Sequence, residues 1–131
     1  MPYAFCLLPD ERLKGANNLS DCIFCKIANK EINSNLVYED ETVAAFRDLN
    51  PQAPQHILIV PKKHVANITE LDDKDLAAHI FTEVVPKIAA EVGIDKSGFR
   101  LVINTGEEGG QTVNHLHVHL LGGRSMQWPP G

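Results

Sequence analysis

Three histidines alternate with aliphatic residues near the end of the chain, at positions 115, 117 and 119. The surrounding residues 113–121 are rich in β-branched and aliphatic types, which predicts a β-strand. Successive side chains of a strand point to opposite faces, so the three imidazoles would share one face at intervals of roughly 6.6 Å. At that spacing all three can reach one small ligand.

The close spacing of these rings limits their charge. Three positive imidazoles side by side would lower one another's pKa, so at least one should be neutral near pH 7. A neutral imidazole can bind a metal, transfer a proton or attack an electrophile. A purely structural row would need separate polar partners for each buried ring, which favours a functional interpretation.

A glycine-rich turn at residues 105–111 leads into the histidine strand. Gly109 and Gly110 have no side chain to keep an anion from the backbone, so the turn can form a phosphate-binding nest. Asn104 and Thr112 flank the turn and add an amide and a hydroxyl to the same volume. A Gly-Gly turn alone is more often just a turn, so the anion site rests on the neighbouring histidines.

Length and charge exclude several classes of function. The 131 residues suffice for one compact domain, and a net charge of -5 without a basic run argues against a nucleic-acid partner. A small nucleotide is still allowed. No apolar run is long enough to span a bilayer and no secretory signal is visible, so we expect no membrane partner and a cytoplasmic protein, with a nuclear location left open for a eukaryotic source.

The three cysteines are an odd number, which argues against a framework of structural disulfides. Cys22 and Cys25 form a C-x-x-C pair, which in a reducing compartment is typical of a metal site or a redox pair. Cys6 is predicted to be a lone thiol.

Periodicity predicts an α+β fold with a five-stranded, mainly antiparallel sheet, one long helix and a short N-terminal helix. Residues 1–20 show no periodicity and are predicted to be a tail, and residues 21–131 to form a single domain that includes the C-terminal tail. His79 lies off the apolar stripe of the long helix and is predicted to be a helix-surface residue. The predicted elements are a short helix capped by Ser20 or Asp21 and ending near residue 29, strands 36–39, 42–47, 56–61, 99–104 and 113–121, and a helix over about 72–91 kinked at Pro86.

Several motifs together carry a resemblance to a known family. His115-Leu116-His117-Val118-His119-Leu120-Leu121 matches the His-φ-His-φ-His-φ-φ signature of the histidine triad superfamily of nucleotidyl hydrolases and transferases. The chain resembles the Hint branch, the purine nucleoside phosphoramidases, from about residue 21 to residue 131. The supporting segments are Asp48-Leu49-Asn50-Pro51-Gln52-Ala53-Pro54, Pro61-Lys62-Lys63-His64, Gly109-Gly110-Gln111 and Trp128-Pro129-Pro130-Gly131.

This resemblance implies hydrolysis of purine nucleoside 5'-phosphoramidates, such as AMP and GMP amides or AMP-lysine, with no cofactor for catalysis. His117 is implied to attack the α-phosphate and form a covalent nucleotidyl-histidine that water hydrolyses. The implied phosphate donors are His119, Asn104, Gly110 and Thr112. Thr112 stands where most Hint proteins carry Ser, and its hydroxyl can still protonate the leaving amine. The full implied catalytic set is His56, Thr112, His115, His117 and His119.

The rest of the nucleotide site also follows from the resemblance. His56 is implied to orient the triad or share protons with it, and Asp48 to accept hydrogen bonds from the ribose hydroxyls. From the residues alone, His56 could equally be a polar strand end and Asp48 a cap of the proline loop. Ile23, Phe24 and Leu49 are implied to wall the purine, although helical spacing alone places Ile23 and Phe24 in the core. Asn114 stands where relatives commonly carry an aromatic residue, which puts the local packing in question.

A structural zinc ion is a further implication. Some superfamily members bind zinc through two such cysteines, the histidine of the Pro-Lys-Lys-His segment and the first histidine of the triad. The corresponding residues are Cys22, Cys25, His64 and His115, which make a closed tetrahedral set. Many Hint proteins lack the cysteines, so two reduced thiols near a helix start are the alternative.

The residue types also allow two other functions. His115, His117 and His119 could hold a catalytic zinc with an open position, which would make activity sensitive to chelators. The chain could also be a nucleotide-binding or adaptor protein with weak or vestigial hydrolase activity.

The C-terminal tail predicts a quaternary structure. An exposed Trp128 in a Pro-Pro-Gly tail is costly without a partner surface, and Hint proteins are homodimers whose C-terminal segments reach the neighbouring site. We therefore expect a homodimer formed through this tail.

Overall fold

The computed structural model describes residues 22–131, so the predicted tail at residues 1–20, with Cys6, lies outside the described residues. A short helix α1 (Ile23–Ala28) is followed by strands β1 (Leu36–Glu39), β2 (Val43–Arg47) and β3 (Gln55–Pro61). After a 3-10 turn (Ile68–Glu70), a long helix runs through α2 (Lys74–His79), a π-helical turn (Ile80–Val84) and α3 (Val85–Glu91). Strands β4 (Phe99–Val102) and β5 (Val118–Gly122) complete the chain. No helix among the described residues is long and apolar enough to cross a bilayer.

All five strands form one sheet in the order β1-β2-β3-β5-β4, and every neighbouring pair is antiparallel. The α+β prediction is therefore confirmed. β3 lies at the centre, and its aliphatic residues 57–60 are fully buried. This is why its sequence shows an apolar run rather than the alternation of a half-exposed strand.

The two faces of the sheet carry separate cores. On one face, strand residues such as Ile57, Ile59 and Leu120 pack against the long helix. On the other face, residues such as Phe46 and Leu58 pack against α1. Because strand side chains alternate, His56 and His119 fall on the face of α1, away from the long helix.

The long helix contains a discontinuity next to Pro86, where the sequence predicts a kink. Pro86 has no N–H to donate, and its ring would clash with the carbonyl one turn earlier in a regular α-helix. The preceding residues instead form the π-helical turn, which widens the helix there. Asp73 caps the N-terminus by accepting the N–H of Leu76 at 3.0 Å, and Gly93 follows the C-terminus with a φ of 80°.

Two local predictions are wrong. The N-cap position of α1 is Cys22, whose side chain makes no capping hydrogen bond, whereas Ser20 and Asp21 lie outside the described residues. The histidine strand begins only at Val118, and residues 113–117 are irregular. The backbone there bonds outside the sheet, since the N–H of Leu116 donates to the carbonyl of Val65 at 2.6 Å.

Candidate active site and metal centre

The rings of the three alternating histidines divide into two groups. The ring of His115 lies against His64, at 4.9 Å between centroids, and beside the cysteine pair. The rings of His117 and His119 lie 5.0 Å apart, and His56 follows at 5.1 Å from His119. All three rings lie on the α1 side of the sheet, and Phe24 of α1 contacts both His115 and His117. The irregular backbone before Val118 turns His115 toward the cysteines and away from the other two rings.

His117 has a defined tautomer. Its Nδ1 lies 2.7 Å from the carbonyl oxygen of His115, and because a carbonyl can only accept, Nδ1 carries the proton. His117 is 5% exposed, and this burial lowers its pKa, although the hydrogen bond to the carbonyl opposes that effect. The neutral ring therefore keeps an unprotonated Nε2, which can act as a nucleophile or a base.

His56 and His119 form a hydrogen-bonded pair, with 2.9 Å between His56 Nε2 and His119 Nδ1. The backbone N–H of Gln52 donates to His56 Nδ1 at 3.0 Å, so neutral His56 carries its proton on Nε2. That proton is donated to His119 Nδ1, which leaves the proton of His119 on Nε2. Burial is the main reason that the pKa of His119 is lowered to about 4, and the neighbouring rings of His117 and His56 lower it further.

Asp48 lies at the edge of this pair. Its Oδ1 accepts the N–H of Asn50 at 2.7 Å, and its Oδ2 lies 3.4 Å from His56 Nε2. The side chain is only 3% exposed. Asp48 therefore lies beside His56, and its role in binding the ribose hydroxyls stays a prediction.

The residues predicted to wall a purine meet in one mainly apolar pocket of about 100 Å³. Phe24 is 1% exposed in the core, lines this pocket, and has its ring 5.0 Å from that of His117, so its position is compatible with both predicted roles. Leu49 is 78% exposed and Ile23 is half-buried. The pocket is lined by Ile23, Phe24, Ile27, Ile32, Asn33, Ser34, Phe46, Arg47 and Leu49.

Within the glycine-rich turn, some backbone N–H groups form hydrogen bonds to the turn itself. The N–H of Gly110 donates to the carbonyl of Glu107 at 3.0 Å, so the turn does not present that N–H to an anion. A Cβ on Gly109 would lie 2.3 Å from the carbonyl oxygen of Thr105, so glycine is required there for close packing. Thr112 is exposed and Asn104 is half-buried, and their role as phosphate donors stays a prediction.

The four predicted zinc ligands lie together. The start of α1 supplies the two cysteines, the segment after β3 supplies His64, and the irregular segment before β5 supplies His115. Cys25 Sγ lies 3.1 Å from His64 Nδ1 and 3.3 Å from His115 Nδ1, while Cys22 Sγ lies 3.5 Å from His115 Nδ1. Ligand atoms on a tetrahedral zinc ion are separated by roughly 3.5 Å, given Zn–S and Zn–N bonds of about 2.3 and 2.0 Å.

The orientation of His115 also suits metal binding. Its Nε2–H donates to the carbonyl of Pro61 at 2.9 Å, which leaves Nδ1 unprotonated and directed at the sulfurs. Burial lowers the pKa of His115 to about 4, so the ring is neutral as a ligand must be. Two thiols and two imidazoles form a donor set compatible with a structural zinc ion.

Several contacts were not predicted from the sequence. The backbone groups of Gln52, Pro61 and His115 that fix the histidine tautomers have no signal in residue type. His79, predicted to be a surface residue, is half-buried and bonds both Asp40, at 2.6 Å, and Glu83. Asn114, by contrast, is exposed, so its polar side chain leaves the core intact.

Comparisons with known proteins find the same family by sequence and by structure. The pattern of the HIT domain family matches residues 29–126. The chain is 53% identical over 113 residues to an uncharacterized HIT-like protein of Synechococcus elongatus, covering 85% of this chain and 97% of that protein. It is 49% identical over 114 residues to a 14 kDa zinc-binding protein of Zea mays, covering 86% and 89%. The crystal structure of a HIT family hydrolase from Legionella pneumophila Philadelphia 1 superposes with a TM-score of 0.80 at 52% identity, covering 84% of this chain and 99% of that one.

Proposed function

The chain belongs to the HIT domain family and is similar to its hydrolases, and on that premise we propose that it is a purine nucleoside 5'-phosphoramidate hydrolase of the Hint branch. AMP and GMP amides and AMP-lysine are the proposed substrates. The observation that carries this proposal is the hydrogen bond from His117 Nδ1 to the carbonyl of His115, since it leaves Nε2 unprotonated in a buried, neutral ring.

The proposed reaction has two steps. His117 Nε2 forms a bond to the α-phosphorus while the P–N bond breaks, and the electron pair leaves on the amine nitrogen, which takes up a proton. The Nε2–H of His119 donates to a phosphate oxygen and stabilises the developing charge. Water then attacks the phosphorus as the P–Nε2 bond breaks, so the nucleotide leaves and the electron pair returns to Nε2. The proton that water loses replaces the one taken up by the amine.

The surroundings support a nucleotide as the substrate. The apolar pocket bounded by Ile23, Phe24 and Leu49 reaches His117 through Phe24, so a base in the pocket would place its phosphate near the ring. Thr112 and Asn104 are proposed as further donors to the phosphate, with the Thr112 hydroxyl protonating the leaving amine.

We also propose that Cys22, Cys25, His64 and His115 hold a zinc ion, consistent with the name of the Zea mays relative. The ion would supply a cross-link between α1, the end of β3 and the segment before β5, and no step of the reaction uses it. The alternative of a catalytic zinc on His115, His117 and His119 is disfavoured, because the ring of His115 faces the cysteines.

Steady-state hydrolysis of adenosine 5'-phosphoramidate tests the proposed function. We expect release of AMP and ammonia by the wild-type protein and a loss of at least about 10³-fold in kcat for His117→Ala. Nucleotide binding without turnover in the wild-type protein would instead support the adaptor interpretation.

A further inference from the structure

The side chain of Gln111, at the end of the glycine-rich turn, has a partner for each of its polar groups. Its Oε1 accepts the backbone N–H of Gly106 at 3.0 Å, and its Nε2 donates to the carbonyls of Ala66 at 2.8 Å and Val113 at 2.9 Å. A backbone N–H can only donate and a carbonyl can only accept, so these partners fix the orientation of the amide. We call these three hydrogen bonds the Gln111 clamp.

The clamp holds a part of the backbone that lies outside the sheet. Residues 103–117 belong to no helix or strand. The N–H of Leu116 donates to the carbonyl of Val65, and the Nε2 of Gln111 donates to the carbonyl of the next residue, Ala66. Two adjacent carbonyls after β3 therefore hold both ends of the stretch 111–116, which contains Thr112.

We infer that Gln111 is a positioning residue, which holds the Thr112 hydroxyl where it can protonate the amine that leaves phosphorus. Thr112 is exposed, so the position of its hydroxyl depends on how the adjoining backbone is held. The bond from Gln111 Nε2 to the carbonyl of Val113 closes a ring across Thr112. The bonds between Gln111 and Gly106, one through the side chain and one between backbone groups at 3.0 Å, hold the preceding turn.

The catalytic role of the clamp rests on the proposed function, although the clamp itself does not. When the P–N bond breaks, the amine nitrogen takes the electron pair together with a proton from the Thr112 hydroxyl. The proton that water loses in the second step restores the hydroxyl. Because a displacement of about 1 Å can cost on the order of 100-fold in rate, the place of this hydroxyl matters.

Two other roles for Gln111 make different predictions. If the side chain bound the substrate phosphate, a phosphate oxygen would have to displace the carbonyl of Ala66 or Val113 from Nε2, which leaves that carbonyl without its partner. If Gln111 only stabilised the fold, its loss would slow the hydrolysis of every substrate by the same factor.

Gln111→Glu tests the inference, since it keeps the shape of the side chain and removes both donors. An ionised carboxylate only accepts hydrogen bonds, so it is repelled by the carbonyls of Ala66 and Val113. Gln111→Ala, which removes the clamp without adding charge, is the second variant. The control is Asn114→Asp, which makes the same change from amide to carboxylate at an exposed position of the same segment.

The variants are compared by kcat/KM for two substrates that differ in the leaving group. AMP-lysine releases a basic amine, which must be protonated, whereas the p-nitrophenyl ester of AMP releases p-nitrophenolate, which is stable as an anion. We expect both Gln111 variants to lower kcat/KM roughly 10- to 100-fold for AMP-lysine and less than about threefold for the ester. Asn114→Asp should match the wild-type protein with both substrates.

A fall of equal size for the two substrates would overturn the inference, because Gln111 would then act on the whole fold or on the phosphate. Wild-type values of kcat/KM for AMP-lysine in both Gln111 variants would overturn it as well.

Amide hydrogen exchange, followed by NMR, tests the clamp in the wild-type protein without an assay of activity. Gly106 is exposed, but its N–H donates to Gln111 Oε1. After correction for intrinsic rates, we expect this N–H to exchange at least about 10-fold more slowly than that of exposed Glu108, and to lose the protection in Gln111→Ala.

Equal exchange at Gly106 and Glu108 in the wild-type protein, or protection of Gly106 that persists in folded Gln111→Ala, would contradict the inference. A wild-type protein that hydrolyses no phosphoramidate would refute the proposed function, and hydrogen exchange would still decide whether the clamp holds the turn.

Discussion

Backbone groups fix the tautomer of three histidines in this protein. The carbonyl of Pro61 holds the Nε2 proton of His115, the carbonyl of His115 holds the Nδ1 proton of His117, and the N–H of Gln52 sets His56. The residue types therefore predict which histidines form the site. They do not predict which nitrogen of each ring is unprotonated and able to react or bind a metal.

His79 shows how one histidine outside the site couples two elements. Hydrogen bonds to Asp40 and Glu83 raise the pKa of His79. Burial opposes ionisation of Asp40, but hydrogen bonds from Tyr38, His79 and the backbone outweigh it and hold the pKa of Asp40 far below its usual range. The hydrogen bond to Asp40 also raises the pKa of Tyr38 to about 12. A charged His79 thus ties the long helix to the turn between β1 and β2.

This pair gives a pH dependence of stability with a defined sign. The pKa of His79 is higher in the folded state than in the unfolded state. The stabilisation that charged His79 gives the folded protein is therefore fully present below the unfolded pKa of about 6.5, and it is lost as the pH rises through the folded-state pKa. We expect the wild-type protein to have a larger free energy of unfolding in urea than His79→Gln. The difference between the two proteins should be greater at pH 6 than at pH 9. An equal difference at the two pH values would contradict this account.

At the scale of elements, hydrophobic patterning predicted most of the fold. The aliphatic run of β3 reflects burial on both faces of the sheet, and the apolar stripe of the long helix reflects the one side that faces the core. The histidine segment was placed in a strand because His-aliphatic alternation has the period of a strand. Its backbone leaves the sheet before Val118 so that His115 can reach the cysteines and His117 can reach His119. Such long-range contacts have no local signal in the sequence.

The cysteine-histidine cluster joins three elements that are far apart in sequence. We expect about one zinc ion per wild-type chain by mass spectrometry and none in Cys22→Ser/Cys25→Ser, whose melting temperature should fall on the order of 10 °C. Hydrolysis per folded molecule should persist after zinc removal, because no proposed step uses the ion. Wild-type protein purified without zinc and with an unchanged melting temperature on adding it would contradict the proposal.

Considering the whole molecule, the C-terminal tail carries a large aromatic side chain that is exposed to solvent. Trp128 is 80% exposed, and the guanidinium of Arg100 lies 6.0 Å from its ring centroid. A large exposed aromatic side chain at the end of a folded domain favours burial against a second surface. We therefore keep the homodimer as a proposal, with the tail as its contact.

Light scattering on the purified protein tests this proposal. We expect the mass of a dimer at micromolar concentration and a weaker dimer, detected on dilution, for Trp128→Ala. Gln127→Ala, at the exposed neighbouring position, is the control for a change in the same tail. A wild-type monomer at micromolar concentration would refute the dimer.

In the proposed reaction, His117 attacks phosphorus through Nε2. Rapid-quench mass spectrometry of the protein mixed with one equivalent of adenosine 5'-phosphoramidate measures this step directly. We expect a transient adenylyl group on the peptide that contains His117, formed before AMP is released and absent in His117→Ala. Release of AMP with no covalent adduct at any time in the turnover, or an adduct on another residue, would contradict it.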